Sequence, residues 1–213
     1  MTRVVLASGN AGKLRELAVL LAPFSLQLEA QGDFGIHPAA ETGTTFVENA
    51  LLKAHHAARH ARLPALADDS GLEVDALKGA PGVRSARYAA DAHNAPDDSG
   101  NSNDEANNAR LLRELHDVPE EFRTGRFVCV IAVARNGHTL ATFHGQAEGI
   151  LLHAPRGSNG FGYDPLFFFP QIEKTFAELT AEEKAKYSHR GAAFRQFLEW
   201  ADHWSDLHPH SAR

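Results

Sequence analysis

Sulfur is nearly missing from this chain of 213 residues, which holds one cysteine, Cys129, and one methionine, Met1. A single thiol cannot close an intramolecular disulfide, and without a CxxC pair neither a zinc ribbon nor dithiol redox chemistry is available. Cys129 lies inside the apolar run Phe127 to Ala134 and reads as a buried strand residue. Long hydrophobic runs are missing as well: nothing approaches the ~18 apolar residues of a membrane span. Met1 to Asn10 also lacks a basic region leading into an apolar one, so a cytoplasmic protein with no membrane partner is expected. The third absence is a surplus of positive charge. With 21 Lys+Arg against 27 Asp+Glu, a net of -6, no broad basic face is expected and duplex nucleic acid is not an expected partner. A polyanionic ligand would have to meet a local cluster of cations.

What is present is a patterned α/β sequence, of a length that fits one large domain or two small lobes sharing a core. Arg3 to Ala7 reads as a buried strand, Ser8 to Gly12 as a tight turn, and Lys13 to Leu21 as a helix with apolar Leu14, Leu17, Leu20 and Leu21. Thr45-Phe46-Val47-Glu48 fits a capping box that opens an alanine-rich helix towards His60, with Lys53 two turns in. His56 and His60 share the i, i+4 spacing of metal ligands. The glutamate of an HExxH pair is missing, and the favoured reading is a solvated face. Leu63 to Ala67 is a short apolar strand that is expected to stop on Asp68-Asp69-Ser70-Gly71. Tyr88 to Asn103 reads as a surface loop, and Ser102 or Asn103 can cap a helix from Asp104 to His116. Asn136-Gly137 between Phe127–Arg135 and Thr139–His144 is a strong hairpin signal. A strand at Leu166 to Phe169, a capping box at Thr180–Glu183 and a helix from His189 to Trp204 complete the pattern.

Three segments carry chemistry. Ser8-Gly9-Asn10-Ala11-Gly12-Lys13 sets glycines, small polar side chains and a lysine between a strand and a helix N-terminus, where backbone N–H groups and the helix dipole attract phosphate. It is not a Walker A loop, because only two residues separate its glycines and Leu14 follows the lysine. Asp68-Asp69 after an apolar strand offers carboxylates for Mg²⁺ or for orienting water; Ser70 lacks the glycine context of a hydrolase nucleophile. Gly157 to Pro165, with Phe161 and Tyr163, is suited to closing on a flat ring by stacking, and Ser188-His189-Arg190-Gly191 brings nitrogen-rich side chains to a helix start.

Five ordered segments carry a family resemblance: SGNAGKLREL (8–17), ETGTTFVENALLKA (41–54), ADDSGLEVDALKGAPGVRSARYA (67–89), GFGYDPLFF (160–168) and KTFAELTAEEKAKYSHRGAA (174–193). Through them the chain closely resembles the inosine triphosphate pyrophosphatases over nearly its whole length. The resemblance implies one domain over residues 1–213, two-lobed, with a mixed central sheet flanked by helices and a nucleotide cleft between the lobes. It implies hydrolysis of deaminated purine nucleoside triphosphates (ITP, dITP, XTP) to the monophosphate and pyrophosphate. Ser8, Gly9, Asn10, Ala11, Gly12 and Lys13 would hold the triphosphate, with Lys53 and Lys184 as further cationic contacts. Glu41 and Asp69 would be Mg²⁺ ligands, Asp69 also the proton acceptor for the attacking water, and Ser70 a nucleotide contact. Phe161, Gly162, Tyr163, Asp164, His189 and Arg190 would form the nucleoside pocket. Family members are commonly homodimers, so a homodimer is expected.

Two other readings compete. The septum-inhibitor-like nucleotide pyrophosphatases share the opening strand and small-residue turn, and Lys13 argues against them. A nucleotide-binding sensor without turnover is opposed by Glu41, Asp69 and Lys53.

Overall fold

The chain is described by a computed structural model over residues 3–21, 27–91 and 103–204. Seven strands form one mixed sheet in the order β2-β1-β3-β4-β5-β6-β7. They are β1 (Arg3–Leu6), β2 (Gln27–Ala30), β3 (Ala65–Val74), β4 (Thr124–Arg135), β5 (His138–Leu151), β6 (Phe167–Phe169) and β7 (Lys174–Thr175). The helices are α1 (Ala11–Leu21), α2 (Phe46–Ala61), α3 (Tyr88–Asp91), α4 (Asp104–Glu114), α5 (Ala181–Tyr187) and α6 (His189–Ala201). β1 pairs in parallel with β2 and β3, while β6 pairs antiparallel with β5 and β7. Among the described residues no helix is long and apolar enough to cross a membrane.

The chain divides into two compact units, each with its own hydrophobic cluster. The first comprises residues 1–69, 129–145 and 190–213. Strand alternation sends Val4, Leu6, Leu66, Cys129, Ile131 and Val133 to one face, where they pack with Leu17 of α1 and with Phe194, Phe197, Leu198 and Ala201 of α6. The intervening Val5, Ala65, Ala67, Val130 and Ala132 are buried too, and α2, which packs on β1, presents Ala50, Ala54, Ala57 and Ala58 as a stripe small enough for close approach. Burial pushes the Cys129 thiol up to about 12, so it behaves as a core side chain.

The second unit comprises residues 70–128 and 146–189. Its core joins Leu72 and Val74 of β3, Leu111 and Leu115 of α4, and the aromatics Phe127, Tyr163, Phe167, Phe169 and Phe176. Arg123, only 1 % exposed, is held there by three carbonyls: Leu151 (2.7 Å from Nε), Leu115 (2.5 Å from Nη1) and Leu152 (3.0 Å from Nη2). A buried guanidinium needs such acceptors to offset its desolvation.

Several boundaries differ from the sequence reading. The turn at Asn136 and Gly137, both at positive φ, is as expected for a two-residue hairpin. Its strands, however, run well beyond the apolar stretches, because their outer halves alternate exposed and buried residues. Within the expected loop from Tyr88, the first four residues form α3, and residues 92–102 lie outside the described residues, as does the tail after Trp204. β3 does not stop on Asp68. It runs unbroken to Val74, so the acidic pair lies in mid-strand: Lys13, Arg190 and Lys53 compensate the two carboxylates, and the ladder continues through them.

Candidate active site

In the first unit, the chain leaves β1 at Leu6 and enters α1 at Ala11. Asn10 caps the helix, its Oδ1 accepting the Lys13 N–H at 3.0 Å, while the Asn10 N–H donates to Ser8 Oγ at 3.3 Å. These bonds set the turn so that Lys13 projects from the first turn of α1, its Nζ 3.0 Å from Asp68 Oδ2.

The segment carrying Glu41 is fastened to the start of α2. Glu48 accepts N–H bonds from Thr44 (2.7 Å) and Thr45 (3.1 Å) and a hydroxyl bond from Thr44, completing the expected capping box. Buried Asn49 accepts the Gly43 N–H at 2.8 Å, and a Cβ at Gly43 would lie 2.7 Å from the Asn49 side chain, so only glycine allows this approach. Asn49 was not singled out in the sequence; a polar residue on the buried face of an alanine-rich helix was the available signal.

Lys53 joins two acidic positions. Its ammonium lies 2.8 Å from Glu41 Oε1 and 2.7 Å from Asp69 Oδ1. Arg190, 1 % exposed, reaches Asp68 Oδ2 at 3.3 Å through Nη2 and also pairs with Glu16. Three cations, Lys13, Lys53 and Arg190, thus meet four carboxylates, Glu16, Glu41, Asp68 and Asp69, and these groups together carry one net negative charge. A polyanionic ligand would meet a net negative charge at this set of side chains.

Burial alone would raise Asp68, but Lys13, Arg190 and Lys53 outweigh it and hold the carboxyl well below its usual range. At Asp69 burial prevails over the attraction of Lys53 and Lys13, Glu41 adds to it, and the carboxyl is raised. Burial also works against the Lys53 ammonium, which Asp69, Glu41 and Asp68 nonetheless hold above its usual value. Asp69 Oδ2 is buried and has no hydrogen-bond partner among the described residues. Glu41 and Asp69 are hard oxygen donors of the kind Mg²⁺ takes one or two at a time, alongside phosphate oxygens and water. Among the described residues no group of three or more metal-binding side chains is assembled. The His56 and His60 rings lie 4.6 Å apart, tilted by 52°, and His56 Nε2 lies 2.9 Å from the His37 carbonyl.

The second unit assembles the other expected residues. Asp164, 2 % exposed, accepts the Phe161 N–H at 2.8 Å and pairs with Lys184, whose ammonium sits 4.8 Å from the centre of the Phe161 ring. Gly160 must be glycine, because a Cβ there would lie 2.1 Å from Asp164 Oδ2. Tyr163, expected to stack on a ligand ring, is instead a core residue: it is 3 % exposed and its hydroxyl donates to the Ser85 carbonyl at 2.8 Å. His189 is buried and stacked on Phe127 with ring centres 4.7 Å apart. Arg190, read from the sequence as a base or phosphate contact, is committed in this structure to Asp68 and Glu16. Ser70 lies half-buried in β3. The structure therefore gathers Lys13, Glu41, Lys53, Asp69 and Arg190 in one unit, and Phe161, Gly162, Asp164, Lys184 and His189 in the other.

The sequence profile of the Ham1 family matches residues 4–200. The chain belongs to the Ham1 family. It is 51% identical over 201 residues to a dITP/XTP pyrophosphatase of Yersinia pseudotuberculosis serotype I (strain IP32953), covering 93% of this chain and 98% of that one. The dITP/XTP pyrophosphatase of Escherichia coli (strain K12) is 49% identical over the same length and the same coverage. Among solved Ham1 structures, a HAM1 protein from Coxiella burnetii superposes with a TM-score of 0.83 at 43% identity, covering 96% of this chain and all of that one. The Ham1 protein of Staphylococcus aureus gives 0.80 at 36% identity, covering 95% and 99%. These two solved Ham1 proteins cover 95–96% of this chain, so the mixed α/β architecture is shared with them.

Proposed function

We propose that this chain is a nucleoside triphosphate pyrophosphohydrolase that converts dITP, ITP and XTP to the monophosphate and pyrophosphate, with residues 1–213 acting as one catalytic domain. The names of its dITP/XTP pyrophosphatase relatives support the substrate class. The observation that carries the chemistry is Asp69: Oδ1 is held by Lys53, while Oδ2 is buried, unpartnered among the described residues, and part of a carboxyl whose proton affinity is raised. That is the equipment of a proton acceptor with one oxygen fixed and one available.

In this reading Asp69 Oδ2 takes a proton from water as the water oxygen bonds to the α-phosphorus and the bond to the α,β-bridging oxygen breaks, releasing pyrophosphate. Lys13, Lys53 and the Ser8 to Lys13 turn bear the phosphate charge. Glu41 and Asp69 would hold Mg²⁺, which when bound supplies the positive charge that the cluster lacks. Phe161 offers its ring to a purine; Ser70, Gly162, Asp164, Lys184, His189 and Arg190 contact or support the nucleotide. A homodimer in the cytoplasm is the assembly and location assigned with this activity.

The test is pyrophosphate release from ITP, XTP, GTP and ATP, with Mg²⁺ and in excess chelator. ITP and XTP should exceed ATP and GTP in kcat/KM, and chelator should abolish turnover until Mg²⁺ is restored. Tight ITP binding without pyrophosphate release would instead identify a sensor, and equal values for all four would leave a general nucleotide pyrophosphatase.

A further inference from the structure

The expected purine-stacking residue Phe161 is followed by a residue, Gly162, whose N–H and C=O are both held by one helix. Asp104, the first residue of α4, accepts the Gly162 N–H through Oδ2 at 2.6 Å, and Asn108, one turn later, donates from Nδ2 to the Gly162 carbonyl at 2.8 Å. The i, i+4 spacing puts both side chains on one face of the helix, so a single rigid element grips both ends of residue 162. Gly162 is itself at a φ of +62°, in the left-handed region, and carries no side chain with which to hold its place. From the other direction Asp164 fixes the Phe161 N–H at 2.8 Å and Tyr163 is tied to Ser85 at 2.8 Å. Phe161 thus sits in a loop whose backbone is fastened on each side.

Asn108 shows that this grip is more than packing. Its Oδ1 is buried with no hydrogen-bond partner among the described residues, an unfavourable state for a polar atom. An aliphatic side chain of similar size would avoid that cost, so what retains an amide here is its Nδ2 bond to Gly162. Asp104 adds a charge-assisted bond of the stronger kind, with its carboxylate at the positive end of the helix dipole.

We propose that Asp104 and Asn108 are positioning residues for substrate, fixing the Gly162 peptide so that the Phe161 ring is presented ready-made to the purine. The proposal rests on the pyrophosphohydrolase reading for its substrate, but the grip itself can be measured without turnover. Preorganisation of this kind appears in substrate binding and in base discrimination before it appears in the chemical step.

The experiment uses the full chain with Asp104→Ala, Asp104→Asn, Asn108→Ala and Asn108→Asp. Exchange of the Gly162 amide hydrogen should quicken at least tenfold in Asp104→Ala and stay near wild type in Asp104→Asn, whose side-chain oxygen can still accept. KM for ITP should rise about tenfold in Asp104→Ala and Asn108→Asp, the latter because a carboxylate then faces a carbonyl, while kcat changes less than threefold and the ITP/ATP ratio falls. Rescue by Asp104→Asn separates positioning from a general loss of fold, as does an unchanged melting temperature in that variant. Unaltered KM and ITP/ATP ratio in Asp104→Ala or Asn108→Asp, with Gly162 exchange quickened, would overturn the proposal. Absence of turnover in the wild type would overturn the preceding reading alone; the exchange result and ITP affinity by calorimetry then decide this one.

Discussion

Asp68 and Asp69 are neighbours in one strand with opposite titration behaviour: three cations hold Asp68 charged and low, whereas burial keeps Asp69 high. β-strand alternation is the cause, since successive side chains leave opposite sides of the backbone. Asp68 is sent to Lys13 and Arg190, and Asp69 to Lys53 and Glu41. Two carboxylates whose environments drive them apart are equipped for different tasks, Asp68 as a fixed counter-charge and Asp69, on the reading proposed above, as an acceptor.

Asp69→Asn keeps the shape of the side chain and most of its bonding to Lys53 but cannot take up a proton. Its kcat for ITP should fall by roughly 10²–10⁴, the range for loss of a general base, with the far-ultraviolet spectrum and melting temperature close to wild type. A folded variant that releases pyrophosphate at the wild-type rate would remove Asp69 from the mechanism.

Arg190 pairs with both Asp68 and Glu16. Removing it leaves Asp68 with Lys13 as its nearest remaining cation and strips Glu16 of its guanidinium, so Arg190→Ala should lose about 3–5 kcal/mol of stability, the usual cost of breaking a buried ion pair. Urea denaturation measures this directly. A loss below about 1 kcal/mol, typical of exposed pairs, would show that Arg190 is not structural.

How far these roles could be read from sequence depended on whether they are local. The capping boxes at Thr45 and Thr180, the Asn136-Gly137 turn and the helix starting at Asp104 follow from neighbours a few residues apart, and all are present. β2 and β7, of four and two residues, carry too little pattern to stand out, and they exist because β1 and β6 offer them an edge. The same limit applied to the site. Lysines, acidic pairs and the glycine-rich loop were visible as motifs, but the Arg190–Asp68 pair joins residues 122 positions apart. Tyr163 reads as a stacking residue in the sequence because its partner, Ser85, lies 78 positions away.

Glu48 gives the α2 cap a pH dependence. The Thr44 N–H, the Thr44 hydroxyl and the Thr45 N–H hold its carboxyl below the usual range. A group depressed on folding stabilises the folded state above its unfolded pKa, and the contribution is lost as pH falls through the lower, folded value. Acid denaturation of Glu48→Gln should therefore show a smaller loss of stability on acidification than wild type, with lower stability at neutral pH. Parallel pH profiles for the two proteins would show that the carboxylate contributes nothing to the cap.

Phe161 and Tyr163 sit two residues apart in the same loop but should respond oppositely to substitution. The Phe161 ring is partly exposed, with Lys184 over one face, so Phe161→Ala removes a stacking surface and should raise KM for ITP about tenfold, since an aromatic stack on a base is worth about 1–3 kcal/mol. Its melting temperature should hardly move, because few core contacts depend on the ring. Tyr163→Phe deletes only the hydroxyl and leaves the buried Ser85 carbonyl without that donor, a change expected to cost about 1–3 kcal/mol of stability. KM for ITP in Tyr163→Phe should stay within about twofold of wild type, the ring being enclosed in the core with Leu166 and Phe167. Measuring KM and urea midpoints for both variants in parallel gives a crossed pattern, with one protein changed in binding and the other in stability. The reverse pattern, Tyr163→Phe weak in binding and Phe161→Ala unstable, would return the stacking role to Tyr163.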